Sequence, residues 1–231
     1  MSQHTHTPEK HNEDPLLRLQ GTWMKYQKPL LIAIVAIVVI VGGWYFYETQ
    51  VEQPKEQQAV NAIYKAEENF AIDSINAALN GNGADKGFLY IINNYGGTKP
   101  GKLAKYYAGI CYLKLGDFNK AVEYLSDYHT DAKQVQMMAY GSLGDALSEL
   151  GKNDEAIDNY KKAASTFPSD ELNSAEYLFR AGLKQETLGK TKEALDTYKE
   201  LKDKFPKTNR AYEVEKYIYR LSIEPNELST N

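Results

Sequence analysis

The sequence is poor in cysteine, with Cys111 as the single thiol among 231 residues. One cysteine cannot form an intramolecular disulfide, and it cannot supply the several thiolates of a typical structural zinc site. Cys111 lies between Ile110 and Tyr112 in an apolar stretch, where a free cysteine usually packs as a small hydrophobic residue. The sequence therefore predicts a buried thiol and no disulfide framework.

Combinations of residues typical of active sites are also lacking. From Pro15 onward the chain has a single histidine, His129, in a polar segment. No serine, histidine and acid occur at the spacing of a catalytic triad, and Gly81-Asn82-Gly83 is not followed by the lysine of a phosphate-binding loop. We therefore expect no enzyme activity, no cofactor and no metal site.

An excess of basic charge is absent, because 27 lysine and arginine residues are set against 31 aspartate and glutamate residues. Proteins that bind nucleic acids usually present a basic surface that neutralises phosphates. The net charge of −4 therefore argues against a nucleic-acid partner. No motif for a small-molecule substrate is present either, which leaves other proteins as the expected partners.

One long apolar run is present at residues 30–47. Its sequence is LLIAIVAIVVIVGGWYFY, and it contains no charged residue. As a helix it would be about 27 Å long, close to the thickness of a bilayer's hydrocarbon core. Trp23 and Trp44 mark its two edges, as expected for rings at the headgroup level. A cleaved signal peptide is the alternative, but the run follows a long polar lead and ends in bulky aromatic residues. We predict a transmembrane helix in contact with lipid.

The charges that flank this run differ in sign. Residues 15–29 carry only basic charges and residues 48–56 carry mainly acidic ones, namely Arg18, Lys25 and Lys28 against Glu48, Glu52, Lys55 and Glu56. Basic flanks stay in the cytoplasm. We therefore predict an inner-membrane protein of a Gram-negative bacterium with a cytoplasmic tail at residues 1–29 and the rest of the chain in the periplasm. The start of that tail, residues 1–14 with His4, His6 and His11, is expected to be disordered.

A repeated pattern of small residues follows the apolar run. Three glycines recur at nearly regular intervals, at positions 109, 144 and 182, and each is followed seven positions later by a second glycine and twelve positions later by an alanine. The three sets are Gly109, Gly116 and Ala121; Gly144, Gly151 and Ala156; and Gly182, Gly189 and Ala194. Small residues allow two helices to cross closely, and glycine suits the turn between them. We predict that Ala121, Ala156 and Ala194 face Gly109, Gly144 and Gly182 across helix hairpins.

This pattern resembles the tetratricopeptide repeat, a helix hairpin with a period of about 34 residues. The resemblance implies an all-α fold: one N-terminal transmembrane helix, then an α-solenoid of about four hairpins. Residues 48–98 are expected to form a degenerate first helix pair, and residues 99–208 three repeats. Residues 209–223 are expected to form a capping helix with Tyr212, Tyr217, Ile218 and Leu221 on its apolar side, and residues 224–231 a disordered tail.

The resemblance also implies a binding groove along the first helix of each repeat. The groove positions of the three repeats are Leu103, Tyr106, Ile110 and Leu113; Met138, Gly141, Asp145 and Ser148; and Glu176, Phe179, Leu183 and Glu186. Six apolar residues among them are predicted to contact the partner, namely Leu103, Tyr106, Ile110, Met138, Phe179 and Leu183. Such a surface suits a partner segment with apolar anchors and a basic residue. In the alternative interpretation, the chain's own helices cover these positions.

An anchor followed directly by such an array resembles the ancillary subunit of the Sec translocon in Gram-negative inner membranes. That resemblance implies the translocon, periplasmic chaperones or translocating clients as partners. A structural scaffold in another envelope complex, for secretion or division, is the alternative, and a sensor or enzyme regulator is a third possibility.

Overall fold

The computed structural model describes the backbone of residues 15–227 and the side chains of residues 23–223. Every regular secondary-structure element in these residues is a helix. The predicted disordered tail at residues 1–14 lies outside them, as do the last four residues of the predicted C-terminal tail. The chain divides into two compact units, Met1–Pro54 and Lys55–Asn231.

The first unit consists mainly of helix α1, Pro15–Tyr47, which begins well before the apolar run at Leu30 and contains Pro29. A π-helical turn, Glu48–Glu52, follows it. Every described side chain from 23 to 47 is exposed. Within the described residues this is the one helix long and apolar enough to cross a membrane.

The second unit begins with three helices where the sequence predicts a degenerate helix pair. They are α2 (Gln53–Ala71), α3 (Ile75–Asn80) and α4 (Phe88–Tyr95). The short helix α3 was not expected. Helix α2 buries Ala59, Ile63 and Ala66, and its Phe70 ring contacts Tyr107 with 5.2 Å between ring centroids. These apolar contacts attach α2 to the repeats that follow.

Three helix hairpins and a final helix make up the rest of this unit. They are α5 (Lys99–Lys114) with α6 (Phe118–Ser126), α7 (Lys133–Glu149) with α8 (Asn153–Thr166), α9 (Glu171–Thr187) with α10 (Thr191–Lys204), and α11 (Asn209–Glu227). Side-chain caps fix several starts: the Thr98 hydroxyl and the Asp117 and Asp170 carboxylates accept backbone N–H bonds at the first turns of α5, α6 and α9. The hairpins stack into a solenoid.

The two helices of each hairpin cross at the glycines of the repeated pattern. A Cβ atom placed on Gly109, Gly144 or Gly182 would lie 2.4–2.7 Å from a side chain of the second helix. Those side chains are Leu125, Tyr160 and Tyr198. The side chains nearest the glycines thus belong to residues four positions after Ala121, Ala156 and Ala194, and the direct facing of these alanines and the glycines stays a prediction. The alanines are fully buried one helical turn earlier, and the larger side chains fill the space that the glycines leave.

The turns between paired helices use glycine in a left-handed conformation. The φ angles of Gly116, Gly151 and Gly189 are +78°, +72° and +71°. A side chain is strained at such angles, whereas glycine adopts them readily. The prediction that these glycines lie in the turns between paired helices is confirmed.

Helix α11 packs on the third hairpin through three of the four predicted residues, Tyr217, Ile218 and Leu221. Ala211, Val214 and Leu221 are buried, whereas Tyr212 is 67% exposed. The placement of Tyr212 on the apolar side is therefore wrong. The buried positions 211, 214 and 221 follow helical spacing, and Tyr212 lies about 100° away from Ala211 around the helix axis.

Candidate protein-binding surface

The six apolar groove residues fall into two groups in the structure. Leu103, Ile110 and Leu183 are half-buried and Met138 is 37% exposed, so these four side chains contribute to the surface. Tyr106 and Phe179 are only 8% and 5% exposed, and both belong to the hydrophobic core. The predicted groove is thus open at four positions and filled at two.

Tyr106 is enclosed by other rings. Its centroid lies 5.5 Å from that of its neighbour Tyr107 and 5.5 Å from that of Tyr128, which follows helix α6. Burial raises the pKa of the Tyr106 phenol, with a smaller contribution from Tyr177. Tyr106 therefore packs the first hairpin against the next elements of the chain.

Phe179 is covered by the last helix. The Arg210 guanidinium of α11 stacks 4.1 Å from the Phe179 ring centroid, and Tyr217 meets the ring edge-on at 5.6 Å. The centroid of Tyr198 lies 6.2 Å from that of Phe179 and 5.3 Å from that of Tyr217. For Tyr106 and Phe179, the interpretation that the chain's own helices fill the groove is the one the structure supports.

The acidic groove residues are all paired within the chain. The Asp145 carboxylate accepts two bonds of 2.9 Å from Arg180, Glu176 accepts one of 2.6 Å from Arg210, and Glu186 one of 2.5 Å from Arg220. Each arginine lies 34 or 35 residues after its acid, about one repeat further along the chain. That spacing is the sequence signal by which these pairs could have been found.

These pairs join first helices of successive repeats along the inner surface. Arg180 also bonds Glu176 within α9 at 2.9 Å, so Asp145, Arg180, Glu176 and Arg210 form one network. Since the side chains are between a quarter and two fifths exposed, each pair stabilises the fold only modestly. Their larger effect is to remove free negative charge from the groove.

Glu176 shows the effect of the network on protonation. Burial alone would raise the pKa of its carboxyl, but hydrogen bonds from Arg210 and Arg180 outweigh burial and hold the pKa below its ordinary value of 4.5. A carboxyl with a lowered pKa in the folded state stabilises that state above pH 4.5, and the stabilisation is lost as the pH falls through the folded-state pKa.

We therefore expect Glu176→Gln to have a lower melting temperature than the parent protein at neutral pH. The difference between the two melting temperatures should become smaller below pH 4.5. Thermal circular dichroism from neutral to acidic pH measures this. The control is Glu200→Gln, which removes an exposed pair with Lys204 and should have a smaller effect. If the melting temperature of Glu176→Gln were lower than that of the parent by the same amount at every pH, the lowered pKa of the Glu176 carboxyl would be contradicted.

The second repeat differs from its neighbours in having glycine at a groove position. A Cβ atom on Gly141 would lie 2.1 Å from the ring of Tyr177, a residue of α9. The Tyr177 ring of α9 therefore packs directly against the backbone of α7 at Gly141. Tyr177 was not predictable as this contact, because nothing in the sequence spacing relates it to Gly141.

A cleft of about 290 Å³ opens between the start of α5 and the segment that joins α6 to α7. Two lysines, two other polar residues and four mainly apolar residues line it: Lys99, Lys102, His129, Thr130, Leu103, Tyr128, Ala132 and Val135. It includes the groove residue Leu103. The two lysines are not among the residues predicted to bind a partner.

The described residues offer little for catalysis. They contain no cluster of three His, Cys, Asp or Glu side chains that could hold a metal ion. Cys111 is buried, and burial raises the pKa of its thiol to about 12. The thiolate, the reactive form of cysteine, is therefore scarce at neutral pH.

Family models of the tetratricopeptide repeat match three segments of the chain. One model matches residues 103–131 and 176–208, and a second matches residues 139–170. The matches follow the α5–α6, α7–α8 and α9–α10 hairpins. No curated protein matches the chain significantly. Residues 103–208 are therefore an array of tetratricopeptide repeats, a module that binds other proteins and is typically non-catalytic.

Proposed function

We propose that this chain is a membrane-anchored protein-binding factor whose repeat array lies in the periplasm of a Gram-negative cell. The observation that carries the proposal is the presence, in one chain, of three tetratricopeptide repeats and a helix long and apolar enough to span a membrane. Such an array binds proteins, and an anchor would hold those partners close to the bilayer.

The orientation rests on the charges beside the apolar run. Lys25 and Lys28 precede it, whereas Glu48 and Glu52 follow it. Because basic flanks remain on the cytoplasmic side, the N-terminus stays in the cytoplasm and the repeats are exported. The exposed apolar side chains of α1 support lipid contact, since burial in lipid removes that surface from water.

Within this class, the function proposed is that of an ancillary factor which links the Sec translocon to periplasmic chaperones or to emerging clients. The order of elements, an anchor followed directly by the array, supports it. The surface residues Leu103, Ile110, Met138 and Leu183 offer the apolar contacts that a chaperone or an unfolded client segment would need.

Photocrosslinking in native membranes tests the proposal. A photoreactive amino acid replaces Met138 on the inner surface, and the control variant carries it at Lys192, exposed on the second helix of the third repeat. We expect translocon subunits, chaperones or translocating clients to crosslink from position 138 and not from position 192. Components of a secretion or division complex would instead indicate a structural scaffold. Equal crosslinking from both positions would contradict binding by the inner surface.

The same cells test the orientation. A protease added to spheroplasts should degrade the repeat array while a cytoplasmic protein in the same sample stays intact. Protection of the array until the membrane is lysed would show that the orientation is reversed.

A further inference from the structure

Two lysines without an acidic partner lie beside the cleft at the start of α5, whereas the acids predicted for the groove are paired. The acids Asp145, Glu176 and Glu186 are neutralised by arginines of the following helices. Lys99 and Lys102, on the rim of the cleft at the start of α5, are exposed. Among the side chains of residues 23–223, no acid pairs with either ammonium group, in contrast to Lys105, which pairs with Asp127.

Two acids lie close to these lysines, but neither forms an ion pair with their ammonium groups among the described residues. The Glu56 carboxylate accepts bonds of 3.1 and 3.3 Å from the backbone N–H of Lys99 and so serves the start of α5. Asp131 lines an adjoining cleft, together with Gln136 and Tyr140. Among the described residues, the ammonium groups of Lys99 and Lys102 therefore remain available to the carboxylates of a ligand.

The floor of the cleft is apolar and its wall is held in place. Leu103, Tyr128 and Val135 supply apolar surface. The Thr130 backbone N–H donates to Gln136 Oε1 at 2.9 Å, and the Ala132 N–H donates to the Thr130 hydroxyl at 3.2 Å. These bonds order the segment between α6 and α7, so binding of a ligand does not require the wall to be ordered first.

We propose that this cleft binds an acidic peptide segment of a partner protein, with one apolar side chain against Leu103 and adjacent aspartate or glutamate residues beside Lys99 and Lys102. The inference rests on the proposed protein-binding function and adds the chemistry of the segment that is bound. Free ammonium groups beside an apolar floor attract carboxylates and repel basic segments. The partner preference is thus acidic, the reverse of the basic preference expected when the groove acids are taken as free.

Binding of short fluorescent peptides to the full chain, in nanodiscs of zwitterionic lipid, tests this. Three peptides are compared: a central leucine flanked by glutamates, the same leucine flanked by lysines, and a central serine flanked by glutamates. We expect the first to bind at least about tenfold more tightly than either other peptide. Lys99→Glu with Lys102→Glu should reverse the preference between the two leucine peptides.

The control variant is Lys192→Glu with Lys207→Glu, which makes the same change in net charge at two exposed lysines outside the cleft. It should change each affinity by less than about twofold, as expected for surface charges distant from a ligand. An equal effect of the control would overturn the proposal in favour of attraction by net charge. Equal binding of the serine peptide would overturn the apolar site and leave simple anion binding.

The outcomes separate this inference from the proposed function. If none of the peptides binds while Met138 still crosslinks to partners in membranes, the cleft proposal is wrong and the protein-binding function stands. If the glutamate-flanked leucine peptide binds as expected while no partner crosslinks in membranes, the cleft proposal stands and the membrane function is wrong.

Discussion

Replacing both Tyr106 and Phe179 by alanine should remove most of the stability of the repeat array. Each ring is more than nine-tenths buried. Removal of a buried aromatic side chain costs about 3–5 kcal/mol, because apolar contacts are lost and a cavity remains. The two rings have different neighbours, so their costs should add to about 6–10 kcal/mol. Since folded domains are stable by only about 5–15 kcal/mol, much of the array should unfold.

Thermal and urea unfolding of the full chain, followed by circular dichroism, measures this effect. The matched control is Met138→Ala, which shortens a groove residue that is 37% exposed and should cost at most about 1 kcal/mol. A double variant that melts within a few degrees of the parent would show that the rings are surface residues. In that case their role as partner contacts would be restored.

This result also decides how a loss of binding must be interpreted. If the double variant fails to bind a partner, unfolding explains the loss without any contact between the rings and that partner. Substitutions at Met138, Lys99 and Lys102 are more informative, because these side chains are exposed. Variants at such positions test the binding surface with less effect on the core.

The helical hairpins were predictable because their cause is local. Gly109 and Gly116 lie within one helix and its turn, and the seven-residue spacing between them is set by helix geometry. The positive φ of Gly116 follows from the same pattern. Sequence spacing therefore identifies the fold, since each hairpin is built from residues close in sequence.

Burial of the groove residues was not predictable, because the covering side chains come from distant parts of the chain. Phe179 is covered by Arg210 and Tyr217 of the last helix. Tyr106 is covered partly by Tyr128, which lies beyond helix α6. A groove position indicates which face of the solenoid a residue occupies. How much of that face is open depends on the neighbouring repeats.

The sign of the free charge was unpredictable for a related reason. The sequence places the acids Asp145 and Glu186 at groove positions. A charged side chain contributes to partner binding mainly when it is not already paired within the chain. The pairing to Arg180 and Arg220 depends on successive helices lying side by side. These contacts must be known before the unpaired lysines of the α5 cleft can be distinguished from the paired acids of the groove.

The close helix crossing in the second repeat leads to the other large expected effect, that of Gly144→Leu. A Cβ atom at this position would lie 2.7 Å from two ring atoms of Tyr160. The ring is buried, and its hydroxyl donates a 2.7 Å bond to Asp145, which also binds Arg180. Displacing the ring would therefore disturb both the crossing and the ion pair on the inner surface.

We expect Gly144→Leu to lower the free energy of unfolding by roughly 3 kcal/mol or more, since overpacking of a tight site costs about 1–3 kcal/mol and here a hydrogen bond is lost as well. The control is Gly97→Leu, where an added Cβ would meet no atom within 4 Å; its effect should stay within about 0.5 kcal/mol. Urea unfolding of both full-length variants measures the difference. Equal stabilities would show that Gly144 does not lie at a close helix crossing.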